Sequence, residues 1–177
     1  MIAVRPILTT DRLAFHPFTV ADLSVLVALH RDPEVMRFLS IDGRPWSMDE
    51  LRQKLARFVR EQASLGFSKW KVCLRDGETV IGRAGFSIFE PTGEIELGFV
   101  FDRDAWGKGY ATECSKCLLA WLFASRPDID RVIAFVQPGN LASRRVLEKI
   151  GMKADGTRPV DGMAHAFYRS DQSDWRR

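Results

Sequence analysis

The chain has 177 residues and a formal net charge of only +3, which is too small to predict direct binding to nucleic acid but is compatible with an anionic small ligand. The longest apolar run, residues 117–124, is far shorter than the roughly 20 residues that span a bilayer, and no secretion signal is visible, so neither a membrane partner nor export is expected. The three cysteines are few and odd in number and imply no disulfide framework. We therefore expect one cytoplasmic domain over residues 1–177, with its core at about 8–170.

The first elements are a short strand and an interrupted helix. Residues 12–16 alternate as a strand does. Thr19 and Asp22 form a capping-box pattern that predicts the start of a helix. The dipeptide Asp32-Pro33 interrupts that helix, and residues 34–39 predict a second short helical piece.

A longer amphipathic helix follows. Ser47 and Glu50 have capping-box spacing, and Gly66 is placed to end the helix. The apolar positions repeat at helical intervals and indicate one buried face: Leu51, Leu55, Phe58 and Val59.

The next part of the sequence predicts three strands in an antiparallel meander. Residues 69–75 and 79–89 are strand-like and are joined at Asp76-Gly77, a strong hairpin turn signal. A second turn at 91–93 precedes residues 94–101, where apolar residues alternate with others.

The second half of the sequence predicts a strand–helix–strand crossover unit. A helix at 112–125 leads to a buried-strand pattern at 131–136, and a strand–helix–strand unit of this spacing makes its two strands parallel. A helix at 141–150 capped by Gly151 and a strand at 164–169 complete the chain. The predicted fold class is α/β, with a mixed sheet that is antiparallel early and parallel in its middle, and with helices on both faces.

Gly107 and Gly109 stand between a strand and a helix, where they weaken regular structure. Backbone N–H groups at a helix N-terminus attract anions, and glycines let an anion approach them closely. The pattern is also compatible with an ordinary glycine-rich turn. It is not a Walker loop, nor the dinucleotide fingerprint, because Thr112 replaces the third glycine.

Two longer stretches carry a resemblance to a known family. The sequence IELGFVFDRDAWGKGYATE, followed by NLASRRVLEKIGM, resembles the acetyl-coenzyme A motifs of the GNAT superfamily of N-acetyltransferases. The opening TTDRLAFHPFTVADL resembles the start of its RimJ/RimL-type branch. One departure is Asp104, which stands where the superfamily's loop often has Gln or Arg.

The resemblance implies a GNAT fold and acetyl-coenzyme A as co-substrate. In this family a bulge, here expected at Gly98, splays the two parallel strands and frees backbone groups of the first strand for pantetheine. By resemblance those groups belong to Phe99, Val100 and Phe101, with Asn140 contacting the pantetheine arm unless it is only a helix cap. The pyrophosphate is expected on a loop of seven residues: Trp106, Gly107, Lys108, Gly109, Tyr110, Ala111 and Thr112. Lys108 and Arg103 could add charge or be solvated loop residues.

Acetyl transfer to an amine needs a group that accepts the amine's proton and one that protonates the departing thiolate. Glu96, two residues before Gly98, is the first candidate for the base, with Glu94 as its rival and an ordinary exposed glutamate as the alternative. Leu147 occupies the position of the family's usual acidic tyrosine. Ser143, as in RimL-like enzymes, is therefore the candidate acid, against a role in helix capping or packing.

The acceptor is expected to be a primary amine, either a peptide N-terminus, such as that of a ribosomal protein, or a small molecule. Its pocket should involve Phe38 to Trp46 and the last strand, where His165 could face it. No metal is expected, because Cys114 and Cys117 lack a second ligand pair and are better explained by packing. A homodimer is common in the family. The missing tyrosine leaves open a non-catalytic module that binds acyl-coenzyme A.

Overall fold

The computed structural model describes residues 5–40, 42–75 and 79–175, so the turn predicted at Asp76-Gly77 lies outside the described residues. Two short strands and three helices come first: β1 (Leu8–Thr9), β2 (Leu13–Pro17), α1 (Leu23–Leu29), α2 (Pro33–Met36) and α3 (Met48–Leu65). The predicted meander follows as β3 (Lys69–Leu74), β4 (Val80–Phe89) and β5 (Glu94–Phe101). The second half contains α4 (Tyr110–Ser125), β6 (Arg131–Val136), α5 (Leu141–Lys149), β7 (Lys153–Val160) and β8 (Met163–Asp171). Short 3₁₀ helices lie at Arg103–Ala105 and Gln172–Asp174.

The strands form one sheet in the order β1-β2-β3-β4-β5-β6-β8-β7. β5 and β6 are its parallel pair, and the other neighbouring strands run antiparallel. The parallel pairing covers only Ile95 with Val132 and Glu96 with Ile133. β5 and β6 therefore separate after Glu96, which confirms the predicted splayed pair in a mixed sheet.

Helices cover both faces of this sheet, as predicted. Leu97 and Phe101 of β5 pack in one cluster with Leu118 of α4. Val100, which points to the opposite face, packs with Leu29 of α1. The main core lies between the sheet and α4, and α3 adds a smaller cluster around Leu26, Leu51, Leu55 and Phe58.

The two predicted capping boxes have different outcomes. At α3 the Ser47 side chain accepts from the Glu50 N–H, Glu50 bonds back to the Ser47 N–H, and Gly66 ends the helix, as expected. At α1 the helix begins only at Leu23, and Asp22 makes no side-chain cap to it. Asp22 instead accepts from the backbone and hydroxyl of Thr19 and pairs with Lys71 of β3 at 2.8 Å. The carboxylate ties α1 to the sheet rather than capping it.

One further expectation was wrong, and one strand was missed. β5 pairs with β4 in continuous register through Gly98, opposite Gly85, so no bulge is present there and the splay arises without one. β7 was not predicted at all. It is an edge strand, mostly exposed, and its sequence contains Gly156 and Pro159, so it lacks the alternation and composition of a typical strand.

None of the helices in residues 5–40, 42–75 and 79–175 is long and apolar enough to cross a membrane.

A buried histidine joins α1 to the sheet. His30 is 2% exposed. Its Nδ1 lies 2.8 Å from the Leu26 carbonyl oxygen, and its Nε2 lies 3.1 Å from Nε of Arg83 on β4. Because Arg83 can only donate, Nε2 accepts, and the Nδ1–H donates to Leu26. Burial first, and then the charge of Arg83, lowers the pKa of His30 to about 3. The ring is therefore neutral at ordinary pH.

Because His30 is buried and neutral, we expect the free energy of unfolding to fall in mild acid. Unfolded His30 takes up a proton below its ordinary pKa of 6.5, whereas folded His30 does not until about pH 3, so stability present above pH 6.5 is lost as the pH falls. Between about pH 6.5 and about pH 5 the loss from this residue amounts to about 2 kcal/mol. His30→Gln keeps a donor and an acceptor but does not titrate. Urea unfolding should show a smaller loss for this variant over the same interval, and an equal loss in both proteins would contradict the assignment.

Candidate active site

A cavity of about 1220 Å³ opens where β5 and β6 separate. The segment after α2 contributes Phe38, Leu39, Ser40, Arg44 and Trp46 to its wall, and β8 contributes Met163 and His165. These are the parts of the chain from which an acceptor pocket was expected. The Nδ1–H of His165 donates to the Met163 carbonyl oxygen at 2.9 Å, and its ring packs edge-on against Phe135.

Glu96 lies in this cavity and is held by two donors. Its Oε2 is 2.7 Å from Nζ of Lys69 and 2.9 Å from the hydroxyl of Ser87. The side chains of Glu96 and Lys69 are 15% and 6% exposed, so the ion pair is largely shielded from water. Burial lowers the pKa of Lys69, and the charge of Glu96 acts in the opposite direction. Glu96 is thus a fixed, partnered carboxylate rather than an ordinary surface residue.

The second carboxylate oxygen of Glu96 is in a different position. Oε1 has no hydrogen-bond donor among the residues that the structure describes, and it lies above Gly98. A Cβ atom on Gly98 would come within 2.7 Å of Oε1 and within 2.8 Å of Lys69 Nζ. Gly98 is therefore the residue that leaves room for the ion pair. The rival base, Glu94, bonds to Thr92 on the turn and is absent from the described cavity wall.

The backbone of β5 beyond Glu96 has one edge without a partner strand, where the Phe101 carbonyl accepts from the indole N–H of Trp106. Phe99, Val100 and Phe101 pair with β4 on one side, whereas the parallel pairing with β6 has already ended. Phe99 and Val100 also line the cavity. An extended ligand could therefore hydrogen-bond along this edge as a further strand would.

The glycine pair lies where β5 gives way to α4. Gly107 and Gly109 have φ values of +72° and +81°, which residues with a Cβ rarely adopt. Gly109 is the N-cap of α4 and offers no side chain to its first N–H groups. The loop therefore presents unprotected backbone donors at the positive end of a helix.

The charged side chains near this loop have other partners or face solvent. Arg103 pairs with Asp32 at 2.8 Å, and Lys108 is exposed. Trp106 is 47% exposed, with its indole N–H bonded to the Phe101 carbonyl.

Thr10 and Arg12, in the turn between β1 and β2, support the loop, and sequence reasoning missed this contact. Arg12 donates to the Lys108 carbonyl oxygen at 2.9 Å, pairs with Glu113 of α4 at 2.6 Å and lies over the ring of Tyr110. The hydroxyl of Thr10 donates to the same Glu113 carboxylate. The quoted TTDRL stretch contains both residues, but sequence alone gives no means of pairing Arg12 with a residue about a hundred positions away.

Asn140 and Ser143 occupy the N-terminus of α5, and both line the cavity. The Asn140 Oδ1 accepts from the Ser143 N–H at 3.1 Å, so Asn140 does cap the helix, while its amide N–H₂ is left for other acceptors. Leu147, one turn further on, is fully buried and also reaches the cavity wall.

Cys114 and Cys117 have a packing role. Cys114 is fully buried in the core beneath α4, and burial raises the pKa of its thiol well above the usual value. Cys117 is half-buried against the same core. Within the described residues no group of three or more His, Cys, Asp or Glu side chains is arranged to hold a metal ion.

Residues 12–153 match the family model for the acetyltransferase (GNAT) domain, so the chain belongs to that family of acetyltransferases. It is 31% identical over 149 residues to the uncharacterized N-acetyltransferase YnaD of Bacillus subtilis, an alignment that covers 84% of each chain. An acetyltransferase structure from Agrobacterium tumefaciens superposes with a TM-score of 0.80 at 24% identity, covering 96% of each chain. RimL, a ribosomal L7/L12 α-N-protein acetyltransferase solved with coenzyme A, superposes with a TM-score of 0.77 at 16% identity, covering 94% of this chain and 98% of RimL. At these identities the two structures show a shared fold.

The crowding at Gly98 yields a test that needs no substrate. Gly98→Ala inserts a methyl group into the space of the Lys69–Glu96 pair, and such overpacking should lower the free energy of unfolding by about 1–3 kcal/mol. Gly139→Ala is the matched control, because its Cβ would lie 3.7 Å from Phe38, an ordinary contact. Chemical denaturation measures both. Equal stability of the two variants would show that the ion pair does not depend on the space above Gly98.

Proposed function

We propose that this protein is an acetyl-coenzyme A-dependent N-acetyltransferase whose acceptor is a primary amine, either on a peptide N-terminus or on a small molecule. The observation that carries the proposal is Glu96, a fixed carboxylate with one free oxygen at the point where β5 and β6 separate. The naming of YnaD as an N-acetyltransferase supports the same chemistry.

Acetyl-coenzyme A fits the two backbone features of this chain. Its pyrophosphate suits the N–H groups of Trp106 to Thr112, because the space around the Cα of Gly107 is open and helix α4 offers uncapped donors. Its pantetheine arm suits the free edge of β5 at Phe99, Val100 and Phe101, with the Asn140 amide N–H₂ nearby on α5. Arg12 would keep the loop in shape by holding the Lys108 carbonyl. The coenzyme A bound to RimL, which has the same fold, is consistent with this arrangement.

Glu96 is proposed as the base that accepts the amine's proton. A primary amine is mostly protonated at neutral pH and must lose a proton before its nitrogen can attack the acetyl carbon. Oε2 is occupied by Lys69 and Ser87, so Oε1, above Gly98, is the atom that would take the proton, directly or through water. Lys69 and Ser87 act as positioning residues that fix the orientation of the carboxylate.

Ser143 is proposed to assist the departure of the thiolate. As the new C–N bond forms, the C–S bond breaks and the sulfur takes a proton. Leu147 has no proton to give, whereas the hydroxyl of Ser143 lines the cavity at the N-terminus of α5. The positive end of the α5 dipole would also favour the developing negative charge.

The test is release of free thiol from acetyl-coenzyme A in the presence of a panel of amines that includes amino acids, peptides with free N-termini, polyamines and aminoglycosides. We expect at least one amine to be acetylated. Binding of acetyl-coenzyme A without thiol release across the whole panel would instead identify a non-catalytic module. Gly109→Val is the control, because a β-branched residue should distort the loop and abolish both binding and release. Gly66→Val, which imposes similar backbone strain at φ +77° at the end of α3, should retain both.

A further inference from the structure

One end of the cavity contains two cations that have no carboxylate partner among the described residues. These are Arg83 on β4 and Lys54 on α3, and both line the cavity. The other cations of the wall are paired: Lys69 with Glu96, Arg44 with Glu50, and Arg57 with Glu61. A buried charge without a partner is costly, so two cations that lack a carboxylate inside a cavity require an explanation.

Arg83 is only 7% exposed, and no carboxylate among the described residues forms an ion pair with it. Its Nε donates to His30, which is neutral, and its guanidinium lies near the rings of Trp46 and Phe58. Burial lowers the pKa of Arg83 to about 10, with the charge of Glu96 acting in the opposite direction. The single bond to His30 fixes the direction of the guanidinium. It leaves the terminal N–H groups without an acceptor among the described residues.

Lys54 reaches the same end of the cavity from the opposite wall. Its Nζ lies 3.8 Å from the centre of the Trp46 ring, which itself stacks on His30. Burial, and then the charge of Arg83, lowers the pKa of Lys54 to about 8. Glu50 and Asp161 attract Lys54 from a distance, but Glu50 is held by Arg44 through two hydrogen bonds, and Asp161 is exposed.

The charges of this region therefore do not balance. Glu96 is occupied by Lys69, His30 is uncharged, and the positive charges of Arg83 and Lys54 remain. A guanidinium and an ammonium that converge from two walls are a common arrangement for a carboxylate, since both can donate to its oxygens. Both cations lie near the Trp46 ring, and an apolar neighbour that lowers the local dielectric strengthens the attraction. A polycationic acceptor would be repelled at the same place.

We propose that the acceptor is a small molecule bearing both an amine and a carboxylate, an amino acid in the broad sense, with its carboxylate bound by Arg83 and Lys54 and its amine directed to Glu96. The inference rests on the proposed N-acetyltransferase function and names its substrate class. Arg83, Lys54 and Glu96 line the same cavity, so both ends of such a molecule can be held within it.

Binding of product mimics tests this proposal without relying on turnover. The probes are the N-acetyl derivatives of the common amino acids, each compared with its primary amide, titrated into the protein saturated with coenzyme A. For the best-bound pair we expect the acid to bind at least tenfold more tightly than the amide. Lys54→Gln should reduce that ratio at least fivefold. Arg60→Gln, which removes one positive charge from an exposed position on the same helix, should preserve it.

Each outcome decides one question. Equal binding of acid and amide, tighter binding of the amide, no binding by any probe, or a ratio unaffected by Lys54→Gln would overturn the carboxylate subsite. The same amino acids and amides are also assayed as free amines for thiol release. Thiol release without any preference for the acids would leave the acetyltransferase function intact and refute the subsite. Preferential binding of the acids without thiol release would support the carboxylate subsite and refute the acetyltransferase function.

Discussion

The site depends on one ion pair that crosses three strands. Lys69 of β3 lies opposite Gly85 of β4, which lies opposite Gly98 of β5, so these residues form one row across a single face of the sheet. The Lys69 side chain runs along this row, bonds to the Gly85 carbonyl and ends at Glu96. A side chain on Gly98 would occupy the space of the pair. Since a buried lysine needs a counter-charge, this row fixes Glu96 at the point where β5 leaves β6.

The other features of the site follow from that position. The end of the parallel pairing creates both the cavity and the free edge of β5, and the carboxylate lies beside both. Because Lys69 uses the charge of Glu96, this carboxylate does not pair with Arg83 or Lys54, the two cations that we propose bind the acceptor. The loop at Gly107 and Gly109, braced by Arg12, lies beyond the end of the same strand. One strand thus connects the proposed base, the proposed pantetheine edge and the proposed phosphate loop.

Sequence reasoning predicted features that depend on local pattern. The meander, the crossover from β5 to β6, the cap of α3 and the glycine loop follow from turn signals, periodicity and short motifs. It failed where distant residues decide the outcome. Lys69 looked like the start of an ordinary strand, and Arg12 like the start of another strand within the opening that carries the family resemblance. The bulge at Gly98 was expected because glycine weakens a strand, whereas the actual role of Gly98 is to leave space for a side chain from two strands away.

The central claim is that Glu96 accepts the amine's proton, and the turnover of Glu96→Gln tests it most directly. With an amine that the wild type acetylates, at saturating acetyl-coenzyme A, we predict a fall in turnover of about 10²–10⁴-fold. The fall should be greatest at low pH, where more of the amine is protonated. Affinity for acetyl-coenzyme A should not change, because Glu96 lies away from the loop at Gly107 and Gly109 that we propose binds the pyrophosphate. Turnover within a factor of about two of the wild type across the pH range would contradict the account.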